Sequence, residues 1–410
     1  MNKGNKIEVL NYINLLVLLL VGVSQSASAQ WNTLASGTTE HFSAVDFVSP
    51  NTGFAVTDNF ASGGKIFKTV NGSTWSQAYT SANYLFTVRF ISATTGWAAG
   101  GVTPNGVILK TTNGGATWIV QTTAVKQILS ICFVDENNGW AVGIDGTVGT
   151  HFIYHSTNGG ATWIQQNTGF DYLRTIDFSS IDQGIAAGDN GQVYTTNNGG
   201  TTWTQQTFPV FHISKVKMVN SSVAYVTGAY GNGGVYKTTN GGTTWSAQSL
   251  PTILGMSGID FINPDTGLVV GENGKVLFTT NGGTNWTVQN SGITDWLSSI
   301  KFVNSNVAYA VGSVGRIIKF GTTTGMNITE MEVADKIYPN PASGKVYFSS
   351  DLSKAETLSI SDLNGKEMMK VDRGFLETAN GLNIESLTPG VYFVSIRYAN
   401  YKAIQKLIVL

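Results

Sequence analysis

Thr111 to Trp118 reads TTNGGATW, and the chain returns to that phrase five more times. It recurs as STNGGATW ending at Trp163, TNNGGTTW at Trp203, TTNGGTTW at Trp245 and TTNGGTNW at Trp286, with a shorter TVNGSTW ending at Trp75. Successive Trp of the series stand 40 to 45 residues apart, a period that signals a repeat architecture. In each full octet an Asn (Asn113, Asn158, Asn198, Asn240, Asn281) precedes two Gly. The Asn side chain can hydrogen-bond its own backbone and Gly accepts positive φ, so the octet predicts a tight turn between two strands. The Trp then lands at a fixed place on the second strand, a large apolar plate suited to filling the wedge between neighbouring sheets. These residues read as scaffold, not chemistry.

Three more runs of strand composition precede each octet. Ala44–Val48, Thr52–Val56 and Lys65–Thr69 come before Thr74–Gln77, and the same order returns from Thr87, Ser130, Ile176, Val216, Ile259 and Ile300. Four short strands per repeat of this length predict a propeller blade. The last copy ends at Phe320 without an octet, and the missing strand stands at the other end, where Trp31 lies in register with the period. An N-terminal strand that completes the last blade leaves no unpaired edge. Seven Trp predict seven blades.

Outside the repeats the chain changes character. Lys3 and Lys6, the apolar run Leu15–Val23 and the small residues Ala27 and Ala29 predict a cleaved secretory leader over 1–29, the run being too short to span a bilayer. Residues 321–335 read as a linker. From 336 to 410 the charge rises, and runs at Lys345–Ser350, Thr357–Asp362, Glu367–Val371, Val391–Arg397 and Ala403–Val409 predict a small antiparallel β-sandwich, with Asn364-Gly365 as a hairpin turn. The reading is thus all-β: a seven-bladed propeller over 30–320, then the sandwich.

Two parts of the chain resemble known families. The tail, through Tyr338-Pro339-Asn340-Pro341, Ser361-Asp362-Leu363-Asn364-Gly365-Lys366, Leu387-Thr388-Pro389-Gly390-Val391-Tyr392 and the closing Lys406–Leu410, resembles the type IX secretion system C-terminal sorting domain of Bacteroidota. The resemblance implies Sec export to the periplasm, passage across the outer membrane by the type IX machinery as partner, and release or attachment at the cell surface. The octets resemble Asp-box (BNR) repeats, with Asn in place of Asp, and the whole set is similar to photosystem II assembly-factor-like propellers. That likeness implies the fold. Asp-boxes also occur in sialidases, sortilin-type receptors and glucanases, and one fold hosts many functions.

The residues themselves narrow the chemistry. A net charge of −1 offers no basic field for nucleic acid. The single Cys132 cannot form an intramolecular disulfide and reads as an inert interior thiol. A sialidase needs three arginines on one carboxylate, but Arg89, Arg174 and Arg316 stand at three different kinds of position in the repeat. Asp46, Asp177 and Asp260 recur at one register with Lys217 and Lys301 between them, which reads as a balanced polar ring. His41, His151, His155 and His212 are scattered, without the clustered carboxylates or thiols of a metal site. No catalytic set, metal site or cofactor motif is expected.

What remains is aromatic. The loops leading into the first strands carry Tyr84, Phe86, Phe170, Tyr172, Phe211 and Trp296, all on one face of a propeller. Exposed rings over a shallow channel suit stacking against a glycan or peptide. The expectation is a secreted or surface-attached noncatalytic binding propeller. The alternatives are a glycan-active hydrolase using channel carboxylates and a structural surface-matrix component.

Overall fold

A computed structural model describes residues 29–410 apart from 60, 104, 123–125, 146–149, 171, 207, 209–211, 229–233, 253–254, 323–336, 349–351, 353–354, 363–365, 373–380 and 399–401. The leader expected over 1–29 and the linker over 321–335 lie outside the described residues, save Ala29, Gly321 and Thr322. The chain divides into two compact units, residues 1–322 and 323–410.

The first unit is all-β and contains seven four-stranded antiparallel sheets. Their first strands are Phe42–Phe47, Leu85–Phe90, Gln127–Phe133, Leu173–Phe178, Ile213–Met218, Met256–Phe261 and Leu297–Asn304, numbered here as blades one to seven. In blade seven the fourth strand is the N-terminal Ala29–Leu34, antiparallel to Ile317–Thr322 with Trp31 opposite Phe320.

The octet is a local device. Asn113 Oδ1 accepts from the Thr117 N–H at 2.9 Å and its Nδ2 donates to Thr117 Oγ1 at 2.8 Å, while Thr111 Oγ1 accepts from the Gly115 N–H at 2.8 Å. Gly114 and Gly115 sit at φ of 65° and 76°, where a Cβ is strained. The same bonds recur around Asn158, Asn198 and Asn240.

Between blades the packing is a three-ring stack. In blade two Phe90 lies flat on Phe54 of blade one at 4.0 Å, and Trp118 meets Phe90 edge-on at 5.8 Å. Blade three repeats this with Trp97, Phe133 and Trp163, and blade four with Trp140, Phe178 and Trp203. The flat phenyl rings leave room only for hydrogen across the next strand: a Cβ on Gly139 would stand 2.3 Å from Phe133. Polar tips complete the joints. Trp97 Nε1 donates to the Gly159 carbonyl at 3.0 Å, and the Tyr309 hydroxyl donates to the Gly72 carbonyl at 2.9 Å, each reaching the octet turn of the following blade.

The second unit holds a three-stranded and a four-stranded sheet around one core that includes Val346, Leu358, Ile360, Val394, Ile396 and Leu407. The strands are Lys345–Phe348, Ala355–Ser361, Glu367–Asp372, Gly390–Tyr398 and Lys402–Val409, with the two-residue Ile337–Tyr338 and Leu382–Asn383, too short for sequence patterning to reveal. Asn364-Gly365 lies outside the described residues, between two strands that pair antiparallel.

Candidate functional site in the propeller channel

The seven first strands line the channel, and every one of them carries a β-bulge, for instance between Phe42 and Ala44, Leu173 and Thr175, and Met256 and Gly258. A bulge leaves one residue out of the ladder and re-aims its side chain. Here the bulged residues are Ser43, Phe86, Leu129, Arg174, Ser214, Ser257 and Ser298. The first six of these join His212 and Trp296 to line a mouth of about 340 Å³. Deeper in the channel the strands narrow to a throat of about 80 Å³.

The mouth combines apolar area with fixed polar groups. Trp296 is 41% exposed, yet its ring stacks on His41 at 5.6 Å and its Nε1 donates to Ser257 Oγ at 2.7 Å. His41 is held in turn between Asp58 at 2.8 Å and Ser298 at 2.6 Å. Arg174 Nε donates to Asp189 at 2.7 Å, and His212 pairs with the same carboxylate. Burial pushes the Asp189 pKa up, but His212 and Arg174 outweigh it and bring it down to about 2.

The six aromatic candidates separate on this geometry. Phe86 and Trp296 line the mouth. Tyr84 packs edge-on against Phe86 at 6.2 Å, and Tyr172, at a positive φ of 56°, lies against His151 at 5.9 Å. Neither is among the mouth-lining residues. The Phe170 side chain and Phe211 lie outside the described residues. The sequence reading does not pick out the serines or Leu129, and it weighs Arg174 only as a sialidase arginine and His212 only as a metal ligand. The available signal was position: each bulged residue stands three before the polar-ring residue of its strand, out of step with a two-residue alternation.

The throat holds that polar ring: Asp46, Arg89, Cys132, Asp177, Lys217, Asp260 and Lys301, with Lys215 two residues before Lys217. Its aspartates are joints between blades. Asp46 Oδ2 accepts from the Phe90 N–H at 2.7 Å, Asp177 Oδ2 from the Met218 N–H at 2.8 Å, and Asp260 Oδ2 from the Phe302 N–H at 2.9 Å. Each of these donors belongs to the following blade. The other oxygens face Lys301 at 3.1 Å, the Cys132 thiol at 3.3 Å and Lys217 at 3.2 Å. Burial pushes the Cys132 thiol up to about 12, so it stays protonated. The three arginines stay apart: Arg89 in the throat, Arg174 at the mouth, Arg316 paired with Asp295 at 2.7 Å. Among the described residues no three His, Cys, Asp or Glu are grouped to hold a metal ion.

A seven-bladed channel protein with an appended sheet domain is therefore the class that fold and site define. Comparison with known proteins refines it. Residues 336–410 match the secretion system C-terminal sorting domain family, and residues 119–259 match the photosynthesis system II assembly factor YCF48 family. Among solved structures the chain is similar to YCF48 from Cyanidioschyzon merolae, with 20% identity, a TM-score of 0.58, and 72% of this chain and 100% of that one covered. A structure of YCF48 bound to D1 peptide matches at 17% identity and TM-score 0.58, covering 71% and 97%. The GH74 enzyme of Niastella koreensis matches at 16% identity and TM-score 0.53, covering 93% and 74%. At these identities the likeness is one of fold. No curated protein matches the chain. The chain carries a YCF48/BNR-like propeller domain and a secretion-system C-terminal sorting domain. The sorting domain implies export and a contact with secretion machinery. Among the described residues no helix is long and apolar enough to cross a membrane.

Proposed function

We propose that the protein is a noncatalytic recognition module, exported by the type IX route to the outer-membrane surface or beyond, that seats a peptide segment of a partner in its channel mouth. The mouth carries this reading: Phe86, Leu129 and Trp296 stand beside Arg174 and His212 around about 340 Å³. Apolar area with a few oriented polar groups is the composition of a ligand seat. Trp296 is already held by His41 and Ser257, so little side-chain freedom is lost on contact. The likeness to a propeller whose structure holds the D1 peptide supports a peptide as the ligand class. The hydrolase alternative draws less support, because both oxygens of Asp46, Asp177 and Asp260 are engaged, so these three channel carboxylates supply no free acid–base pair.

The test is a peptide array and a glycan array probed with the whole chain and with a Phe86→Ala plus Trp296→Ala double variant. Selective peptide binding that the variant loses while its circular dichroism stays unchanged supports the reading. Glycan binding lost in the same way moves the ligand class to sugars. Binding that survives in the variant removes the mouth as the seat.

A further inference from the structure

The throat carries more cation than its own carboxylates use. Asp46 is committed to Lys301 and Asp260 to Lys217, while Asp177 takes the Cys132 thiol. Arg89 and Lys215 remain. Neither makes a hydrogen bond or ion pair with the described residues, and the Arg89 Nε is buried without a partner. Only the Nε of Arg89 is shielded from water; its terminal nitrogens and the Lys215 amine stay open to the cavity that both residues line, as donors without a protein partner. The lining holds four basic side chains, Arg89, Lys215, Lys217 and Lys301, against three aspartates.

We infer that the throat is a site for one small monovalent anion, held between the Arg89 guanidinium of blade two and the Lys215 ammonium of blade five. With Lys215 protonated, one negative charge balances the ring. The cavity of about 80 Å³ offers room for roughly five water-sized positions, enough for a halide, nitrate or formate-sized carboxylate with its waters and too little for a bulky group. The electrostatics agree. Burial draws the Lys215 pKa down and Asp177 pulls it back, while Lys217 and Arg89 add to the depression. An anion in the throat relieves that repulsion. Arg89 stays charged, since Asp46, Asp177 and Asp260 outweigh its own burial. The site is independent of what the mouth binds.

The experiment uses the whole chain at constant ionic strength, exchanging sodium gluconate for sodium chloride, nitrate or formate. The expected result is a saturable rise in the propeller's unfolding midpoint, about 2–4 °C at tenfold the dissociation constant. Crystals soaked in sodium bromide should show an anomalous peak between Arg89 and Lys215. A response to formate without a bromide peak assigns the site to carboxylates, and a peak with a chloride response assigns it to halides. Arg89→Gln and Lys215→Met should each abolish the dependence, and Arg316→Gln should keep it. A throat holding only water with no saturable response overturns the inference, as does an undiminished response in either throat variant. If neither variant folds, the bromide map and titrations of the unaltered chain decide.

Discussion

Replacing Asp260 by Ala tests the idea that the channel carboxylates are joints. Asp260 is 5% exposed and holds the Phe302 N–H of blade seven at 2.9 Å and Lys217 of blade five at 3.2 Å. Removing it therefore loosens two blade interfaces at once. A hydrogen bond to a charged group contributes about 1.5–3 kcal/mol, and breaking a buried pair while leaving its partner costs about 3–5 kcal/mol. Lys217 keeps 22% of its side chain exposed, so the expected loss lies near the lower end, about 3 kcal/mol. Asp260→Asn keeps an acceptor for the Phe302 N–H and should lose roughly half as much. All 10 Trp lie between Trp31 and Trp296, so tryptophan fluorescence during urea unfolding reports the propeller alone. The pH dependence supplies a second reading. Burial raises the Asp260 pKa, but Lys217 and Lys301 outweigh it and hold it below the ordinary carboxylate value. Its contribution is present above the unfolded pKa of about 4 and is lost as pH falls through the lower folded value. The acid limb should flatten in Asp260→Asn. Equal stabilities for all three proteins would refute the joint.

Asp189, with a pKa of about 2, should contribute about 2 kcal/mol that disappears as pH falls from about 4 to 2; Asp189→Asn should remove that part of the acid transition. Trp118→Ala should cost about 3–5 kcal/mol in urea unfolding, because Trp118 is 7% exposed and edge-on to Phe90. The half-exposed Trp296→Ala should cost far less. Cys132, raised to about 12 and buried, should resist thiol reagents at pH 8 in the native chain and react fully in urea. Deleting residues 29–34 should leave the edge of Ile317–Thr322 open, and light scattering should report self-association.

The scaffold was legible because its signals are local and repeated. Asn113 and its equivalents announce the turn, Trp118 and its equivalents the wedge, and Trp31 the closing strand by spacing alone. The channel was half legible. Asp46, Asp177 and Asp260 share a register that any alignment of the repeats exposes, but their bonds to N–H groups of the next blade exist only once the ring is closed. The mouth was harder. A two-residue alternation counted back from the throat misplaces Ser43, Phe86 and Arg174, since the bulge in every first strand shifts the phase. Choosing aromatics found Phe86 and Trp296 but also Tyr84 and Tyr172. The carbonyls of these two tyrosines accept from Gly101 and Asp189 at 2.9 and 2.8 Å, bonds that tie their loops to a neighbouring hairpin.

The strand that finishes blade seven has a consequence for how the ring comes into being. Ala29 pairs with Thr322 and Leu34 with Ile317, so the earliest part of the propeller to be synthesised is among the last to find its partner. The clasp joins segments separated by nearly the whole domain, and loop closure over such a span is entropically the slowest kind of contact to make. A chain interrupted anywhere before Ile317 keeps an open edge at each end, however well its internal blades are formed. Closure thus distinguishes complete propellers from incomplete ones, and only the complete ring conceals both edges.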